Sequence, residues 1–271
     1  MHFPIILNNY PRHHQDSSEI AVIHNDYLTM LWIEVIDPME RMRISVSDIN
    51  HLIETHHGSL MLDPQHSIKS LFEFPDDAFY CAQHIVTCLD RDLVHPRMVL
   101  LSDDIDQKEV EKFCRSAADY CNTISISCCK RGIYTSSKTF ALLLNEGLTG
   151  NYLERHVQVF SLEDEHFLLQ VVSCIKDNYS LAGFNVNELA SDVLMSRSQL
   201  YKKTRKITGR TPGHLIREIR LYRALQLLDT SQEQIAQIAF ETGFNSPSYF
   251  AKVFEKRFHL LPSDYIGLSH H

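Results

Sequence analysis

The chain has 271 residues, of which 44% are hydrophobic and 22% charged, with a formal net charge of −8. That length allows two ordinary domains, and the composition excludes a disordered or fibrous chain. Seven cysteines, an odd number without a Cys-x-x-Cys pair, indicate neither a disulfide framework nor a zinc knuckle and fit reduced thiols.

The opening MHFPIILNNYPRHH carries a four-residue apolar stretch. This is well short of the roughly 7–15 residues of a secretory signal core. The apolar runs in YLTMLWIEVI and FALLLNEG are too short to span a bilayer, so a cytoplasmic protein is expected. LWIEVIDP reads as a strand. The next stretch, ISVSDINHLIETHHGSLMLDPQHSIKSLFEFP (Ile44 to Pro75), resembles the closing helix and hairpin of a histidine-kinase ATP-binding domain. That resemblance would make LWIEVIDP the strand before a D-x-G-x-G loop. Here Asp37 is followed by Pro-Met-Glu-Arg. Without glycines the backbone cannot wrap a nucleotide, so ATP binding is expected to be lost.

RMVLLSDDIDQKEVEKFCRSAADY (Arg97 to Tyr120) reads as a strand, an acidic pair and an amphipathic helix. It resembles the start of a response-regulator receiver, where paired acids hold Mg²⁺. Too few residues follow for a whole receiver, and no later strand ends in an acceptor Asp. Asp103 and Asp104 read better as a loop or helix cap. His13-His14 and His56-His57 are adjacent pairs, which cannot share one metal without further ligands. No H-E-x-x-H, P-loop or G-x-S-x-G is present. The expected front half is therefore an α+β or α/β module over 1–95, a kinase-ATPase-like remnant, followed by a truncated receiver-like or linker module over 96–160.

Charge changes along the chain. Residues 1–163 carry 13 Lys+Arg against 23 Asp+Glu, a net of −10; residues 164–271 carry 13 against 11, a net of +2. Arg197, Lys202, Lys203, Arg205, Lys206 and Arg210 form a run without an acid. An acidic front and a basic stripe suggest separate roles. Asp164 to Tyr179 reads as an amphipathic helix with Phe167, Val171, Val172 and Ile175 inward.

A repeat then dominates. LASDVLMSRSQLYKKTRKITGRTP (Leu189 to Pro212) matches IAFETGFNSPSYFAKVFEKRFHLLP (Ile238 to Pro262) at an offset of 49 early and 50 late. One extra residue in the second turn accounts for the change. Each copy reads as helix, turn, helix. In the second, Ala239 permits close crossing, Gly243 suits a left-handed turn, Ser246 caps, and Phe250, Phe254 and Phe258 are buried. In the first, Leu194 replaces the glycine at a cost of roughly 1 kcal/mol if the turn is left-handed, and Thr204 replaces Phe254. Pro212 to Thr230 reads as one helix between the copies, with Leu221, Ala224, Leu225 and Leu228 inward.

These residues closely resemble the DNA-binding domain of AraC/XylS-type transcription regulators over about Ser161 to Gly267. The markers are MSRSQLYKK, TGRTPGHLIREIRLYRALQLL, IAQIAFETGFNSPSYFAKVFEKRF and LPSDY. The lead-in HVQVFSLEDEHFLLQVVSCIKDNYS narrows the likeness to hybrid two-component regulators of Bacteroidetes. His259 departs from the family, which usually has glycine there. The resemblance implies an all-α domain over 161–271, two helix-turn-helix units joined by a central helix, that reads two adjacent major-groove segments.

It also implies that Arg197, Ser198, Tyr201 and Lys202 of the first unit, and Ser246, Ser248, Tyr249 and Lys252 of the second, face DNA. Helical geometry agrees, leaving 198, 201, 202 and 205 outward. Lys203 and Lys206 are expected on phosphates. The implied partner is double-stranded DNA. RNA polymerase and a second copy of the chain, through residues 1–160, are further candidates. No cofactor, metal, catalytic residue or membrane contact is expected. The rival readings are a residual phosphotransfer protein and a decayed signalling protein acting through protein–protein contact.

Overall fold

The computed structural model describes residues 27–61, 67–91, 94–105, 109–231 and 233–269. The N-terminal stretch with His13-His14 lies outside them. The chain forms two compact units. The first contains the described residues up to Glu34 together with 44–121 and 132–160. The second contains 35–43, 122–131 and the described residues from Ser161 onward.

The first unit is built on a six-stranded mixed sheet in the order β2-β3-β1-β4-β5-β6. β1 (Tyr27–Glu34) lies between two antiparallel neighbours, β3 (Ser67–Phe72) and β4 (Arg97–Asp104). It is apolar on both faces: Met30, Leu31, Trp32 and Ile33 are all buried, as a strand covered on both sides requires. β2 (Ser59–Met61) closes a hairpin on β3. β5 (Gly132–Thr135) and β6 (Val157–Val159) extend the far edge in parallel.

Among the described residues six helices begin in this part of the chain: α1 (Pro38–Arg41), α2 (Val46–Thr55), α3 (Pro75–Arg91), α4 (Val110–Ser127), α5 (Ser137–Asn145) and α6 (Gly150–His156). Ser45 and Ser136 cap α2 and α5 by accepting the Asp48 and Thr139 amides. At Gly58, which opens the hairpin, a Cβ would fall 2.4 Å from the Phe72 ring. Only glycine lets the strands pass there.

The expected helix and hairpin over 44–75 are present. Two other expectations change. Pairing of β4 with β1 along its whole length puts the expected 95/96 boundary inside one sheet. β4 is apolar over Met98, Val99 and Leu100, and it needs a partner on each edge; β1 and β5 supply them. β4 is therefore not the first strand of a separate receiver. After β1, Asp37 caps α1, its carboxylate accepting the Met39 and Glu40 amides, where the kinase resemblance would place a nucleotide loop.

The second unit is helical: α7 (Leu162–Asn178), α8 (Val186–Asp192), α9 (Arg197–Thr208), α10 (Pro212–Thr230), α11 (Ile235–Glu241), α12 (Pro247–Phe258) and α13 (Pro262–Ser269). α10 is the expected central helix, started by the Thr211 cap and Pro212. Its residues Leu221, Ala224, Leu225 and Leu228 pack with Ile238, Ala239, Phe244, Phe250, Phe254, Phe258 and Tyr265 in one core. Two segments from earlier in the chain join this unit. Ile36 enters the same core, and Arg131 pairs with Glu40 at 2.8 Å. The Cys129 amide donates to the Thr208 carbonyl.

Candidate nucleic-acid interface

The two short-helix, long-helix pairs, α8/α9 and α11/α12, are joined by the same turn built twice. In the first, the Leu194 amide donates to the Ser191 carbonyl and the Met195 amide to Ala190. In the second, Gly243 donates to Phe240 and Phe244 to Ala239. Every donor and acceptor is displaced by 49 residues. Both turns pass through the left-handed region, at φ 55° for Leu194 and φ 79° for Gly243. Leu194 is 91% exposed, so it occupies this strained position without core packing to hold it there. Asn245 is the extra residue that moves the offset to 50 before the caps.

Ser196 caps α9 by accepting the Gln199 amide, and Gln199 Oε1 accepts the Ser196 amide in return. Ser246 caps α12 by accepting the Tyr249 amide. The helices also end alike, with Gly209 at φ 74° and His259 at φ 59° as left-handed caps. His259 therefore bears the strain that glycine avoids.

Leu200, Thr204 and Thr208 bury one face of α9, as Phe250, Phe254 and Phe258 do on α12. The opposite face of α9 exposes Arg197, Ser198, Tyr201, Lys202 and Arg205. Arg205 Nη1 donates to the Tyr201 hydroxyl at 3.0 Å, which holds both side chains along this face. The matching face of α12 exposes Ser248, Tyr249, Lys252 and Glu255. At the offset of 50, serine stands opposite serine (198 and 248), lysine opposite lysine (202 and 252), and arginine opposite glutamate (205 and 255). The α9 face is thus the more cationic: Arg197, Lys202 and Arg205 stand on it with Lys206 beside them, whereas on the α12 face Glu255 offsets Lys252 and exposed Lys256 stands beside them as Lys206 does on α9.

Two expected contacts, Lys203 and Ser246, and one member of the cationic run, Arg210, are placed differently, whereas Lys206 is exposed as expected. Lys203 turns inward within its unit: Nζ lies 2.6 Å from Glu163 Oε1 and 4.8 Å from the centre of the Phe167 ring. Its helical angle places it toward α7 and away from the exposed face. Lys206 is exposed beside that face. Ser246 is half-buried and uses its hydroxyl as the cap. Arg210, counted in the cationic run, is buried and paired with Glu218 at 2.7 Å. Arg205 is exposed on this face, as helical geometry leaves it, although it is absent from the expected contact set.

Behind the two exposed faces, α10 ties the pairs together. Glu218 accepts from Arg257 Nε of α12 through both oxygens at 3.1 Å and pairs with Arg210 at the exit of α9. Burial pushes the Glu218 carboxyl up, but the Arg210 and Arg257 guanidinia outweigh it and hold the group below the ordinary carboxylate range. Arg220 donates to the carbonyls of Tyr179, Leu181 and Phe184, fixing the chain between α7 and α8. Gly243 meets the same Tyr179 carbonyl: a Cβ there would lie 2.0 Å from it. The second turn and the entry to the first pair thus share one tightly packed junction.

A family model described as a helix-turn-helix domain matches residues 189–267, which contain both turns and both exposed faces. Residues 189–267 are an AraC-type helix-turn-helix domain. "HTH-type transcriptional regulator GadX" of Escherichia coli is 32% identical over 154 residues, covering 51% of this chain and 56% of that protein. "Histidine kinase P4" of Formosa agariphila is 40% identical over 102 residues, 38% of this chain and 7% of that one. "HTH-type transcriptional activator RhaR" of Pectobacterium atrosepticum is 22% identical and is matched over 94% of this chain and 86% of its own length. The chain spans well under two thirds of most of these curated relatives. Among solved structures, the DNA-binding domain of AdpA in complex with a target DNA matches 36% of this chain and 87% of that one, at 28% identity and a TM-score of 0.35.

The other sequence candidates lie in the first unit. Asp103 and Asp104, at the end of β4, are both paired with Lys138. Among the described residues no group of three or more His, Cys, Asp or Glu side chains is arranged to hold a metal. No described helix is long and apolar enough to cross a membrane.

Proposed function

We propose that the protein is a sequence-specific DNA-binding transcription regulator whose AraC-type domain reads two adjacent major-groove segments, one with α9 and one with α12. The observation that carries this reading is the repetition of one turn, one cap and one exposed face at a fixed offset, on two helices tied to a common central helix. Such a pair can enter groove segments about one helical turn, roughly 34 Å, apart. Its work is binding and not bond chemistry. Residues 1–160 would supply the signal or the partner contact, with a second copy of the chain and RNA polymerase as candidate partners.

The unequal charge of the two faces divides the labour. Arg197, Lys202 and Arg205 supply counterion-releasing contacts on α9, with Lys206 beside them; Ser248, Tyr249 and Lys252 contribute more to base preference on α12. Lys203 lends its charge to Glu163 and contributes less. The test is selection from a random duplex library by the full chain, followed by gel shifts of the enriched and a scrambled duplex at several salt concentrations. The expected result is an enriched site with two conserved blocks and tighter binding than to the scrambled duplex. Equal affinity for both duplexes would overturn the reading.

A further inference from the structure

His56 ends α2 and belongs to a histidine pair that the sequence alone leaves without a further ligand. The fold supplies one from α3. His56 Nε2 lies 3.3 Å from His84 Nδ1, with the rings edge-on at 87°. Two nitrogens bound to one tetrahedral zinc at about 2.0–2.1 Å stand about 3.3–3.4 Å apart. The two imidazole nitrogens therefore already sit at the spacing of two corners of such a site.

We propose that His56 and His84 form a binding site for a borderline divalent cation, with Zn²⁺ the best match, that staples α2 to α3. Imidazole nitrogen suits Zn²⁺, Cu²⁺ and Ni²⁺ and disfavours Mg²⁺ and Ca²⁺. Both rings are reachable, His84 being exposed and His56 half-buried. Asp77, on the same helix as His84 and two turns earlier, supplies negative charge near the pair and acts electrostatically on His56. It pairs with the neighbouring His57, whose Nδ1 lies 3.3 Å from Asp77 Oδ2. Water completes the coordination, because no described set of three side chains converges on one point. Burial and the adjacent His84 ring hold His56 below the ordinary imidazole range, which favours the neutral, ligating ring.

The experiment is isothermal titration of the metal-stripped full chain with ZnCl₂, repeated for His56→Gln, His84→Gln and His57→Asn. The last changes a ligating residue type without touching the pair, and asparagine tolerates the left-handed backbone of position 57 (φ 62°). Trp32 lies in the same unit and is the only tryptophan, so its fluorescence confirms that each variant is folded. The expected result is more than about a hundredfold weaker Zn²⁺ binding in His56→Gln and in His84→Gln, beyond the usual cost of outer-shell losses, with His57→Asn close to the parent. Co²⁺ should give the intense visible absorption of a tetrahedral site, absent in the same two variants. Binding unchanged in His84→Gln would overturn the proposal, leaving the pair as a plain hydrogen bond. Equal weakening in His57→Asn would overturn the assignment of ligands.

Discussion

Glu218→Gln should loosen the AraC-type domain where its two helix pairs meet. The carboxylate is paired with Arg210 and Arg257, and its side chain is only 15% exposed. Glutamine keeps the shape and removes the charge, leaving two guanidinia facing a neutral amide. Breaking a buried pair in this way costs about 3–5 kcal/mol. Arg257 is partly exposed and can recover some hydration, so the lower end, about 3 kcal/mol, is expected. For a unit of this size that is a fall of about 10 °C in the thermal midpoint.

The pH dependence follows from the same geometry. The folded carboxyl titrates below its ordinary value of 4.5, so its stabilisation is present above that pH. It is lost as pH falls from there toward the folded value. The variant should therefore lack part of the parent's decline in stability on the acid side of pH 4.5. Far-UV circular dichroism melts of the full chain between pH 3 and 7 measure both effects, with hydrogen exchange of α10 and α12 amides locating them. A fall of less than about 0.5 kcal/mol, the range of an ordinary surface substitution, would refute the assignment of a buried clamp.

Three further substitutions probe the turns and core by urea denaturation. Gly243→Ala should cost more than about 2 kcal/mol, because a Cβ must displace the Tyr179 carbonyl and the backbone is left-handed; a neutral result would mean that this junction relaxes freely. Leu194→Gly should leave stability unchanged or raise it by up to about 1 kcal/mol, since relief of the left-handed strain on the exposed leucine outweighs or cancels the entropy that glycine adds to the unfolded chain; clear destabilisation would show that Leu194 packs more closely than its exposure implies. Thr204→Val should stabilise by about 1 kcal/mol, because the buried Thr204 hydroxyl has no hydrogen-bond partner; a destabilised variant would mean that the hydroxyl is satisfied in solution.

The C-terminal architecture was legible because its determinants are local. The caps at Ser196 and Ser246, the proline starts of α10 and α12, and the 3.6-residue stripes act within a few residues of where they stand. The repeat even exposed the left-handed turn at Leu194, a residue type that hides it. Legibility failed where the deciding interaction was distant in sequence. Nothing near Lys203 says that Glu163, forty residues earlier, will take its ammonium. Nothing near Glu218 announces that arginines on two other elements converge on it. The front half failed on the same ground: β4 and β1 pair across some seventy residues, so short likenesses to two known modules concealed one mixed sheet.

The division of labour between α9 and α12 is tested most directly by hydroxyl-radical footprinting of the full chain on its selected duplex. Arg205→Ala, Lys202→Ala and Lys252→Ala are compared with the parent across a salt series. Two protected segments about one helical turn apart are expected for the parent. Arg205→Ala and Lys202→Ala should weaken the segment read by α9 and flatten the salt dependence by about one unit of slope for each phosphate that is no longer neutralised. Lys252→Ala should weaken only the other segment and alter its base preference, costing about 1–3 kcal/mol where a direct hydrogen bond to a base edge is removed. A single protected segment, or a salt slope that responds to Lys252→Ala and ignores Arg205→Ala and Lys202→Ala, would contradict the two-helix reading and the charge division on which it rests.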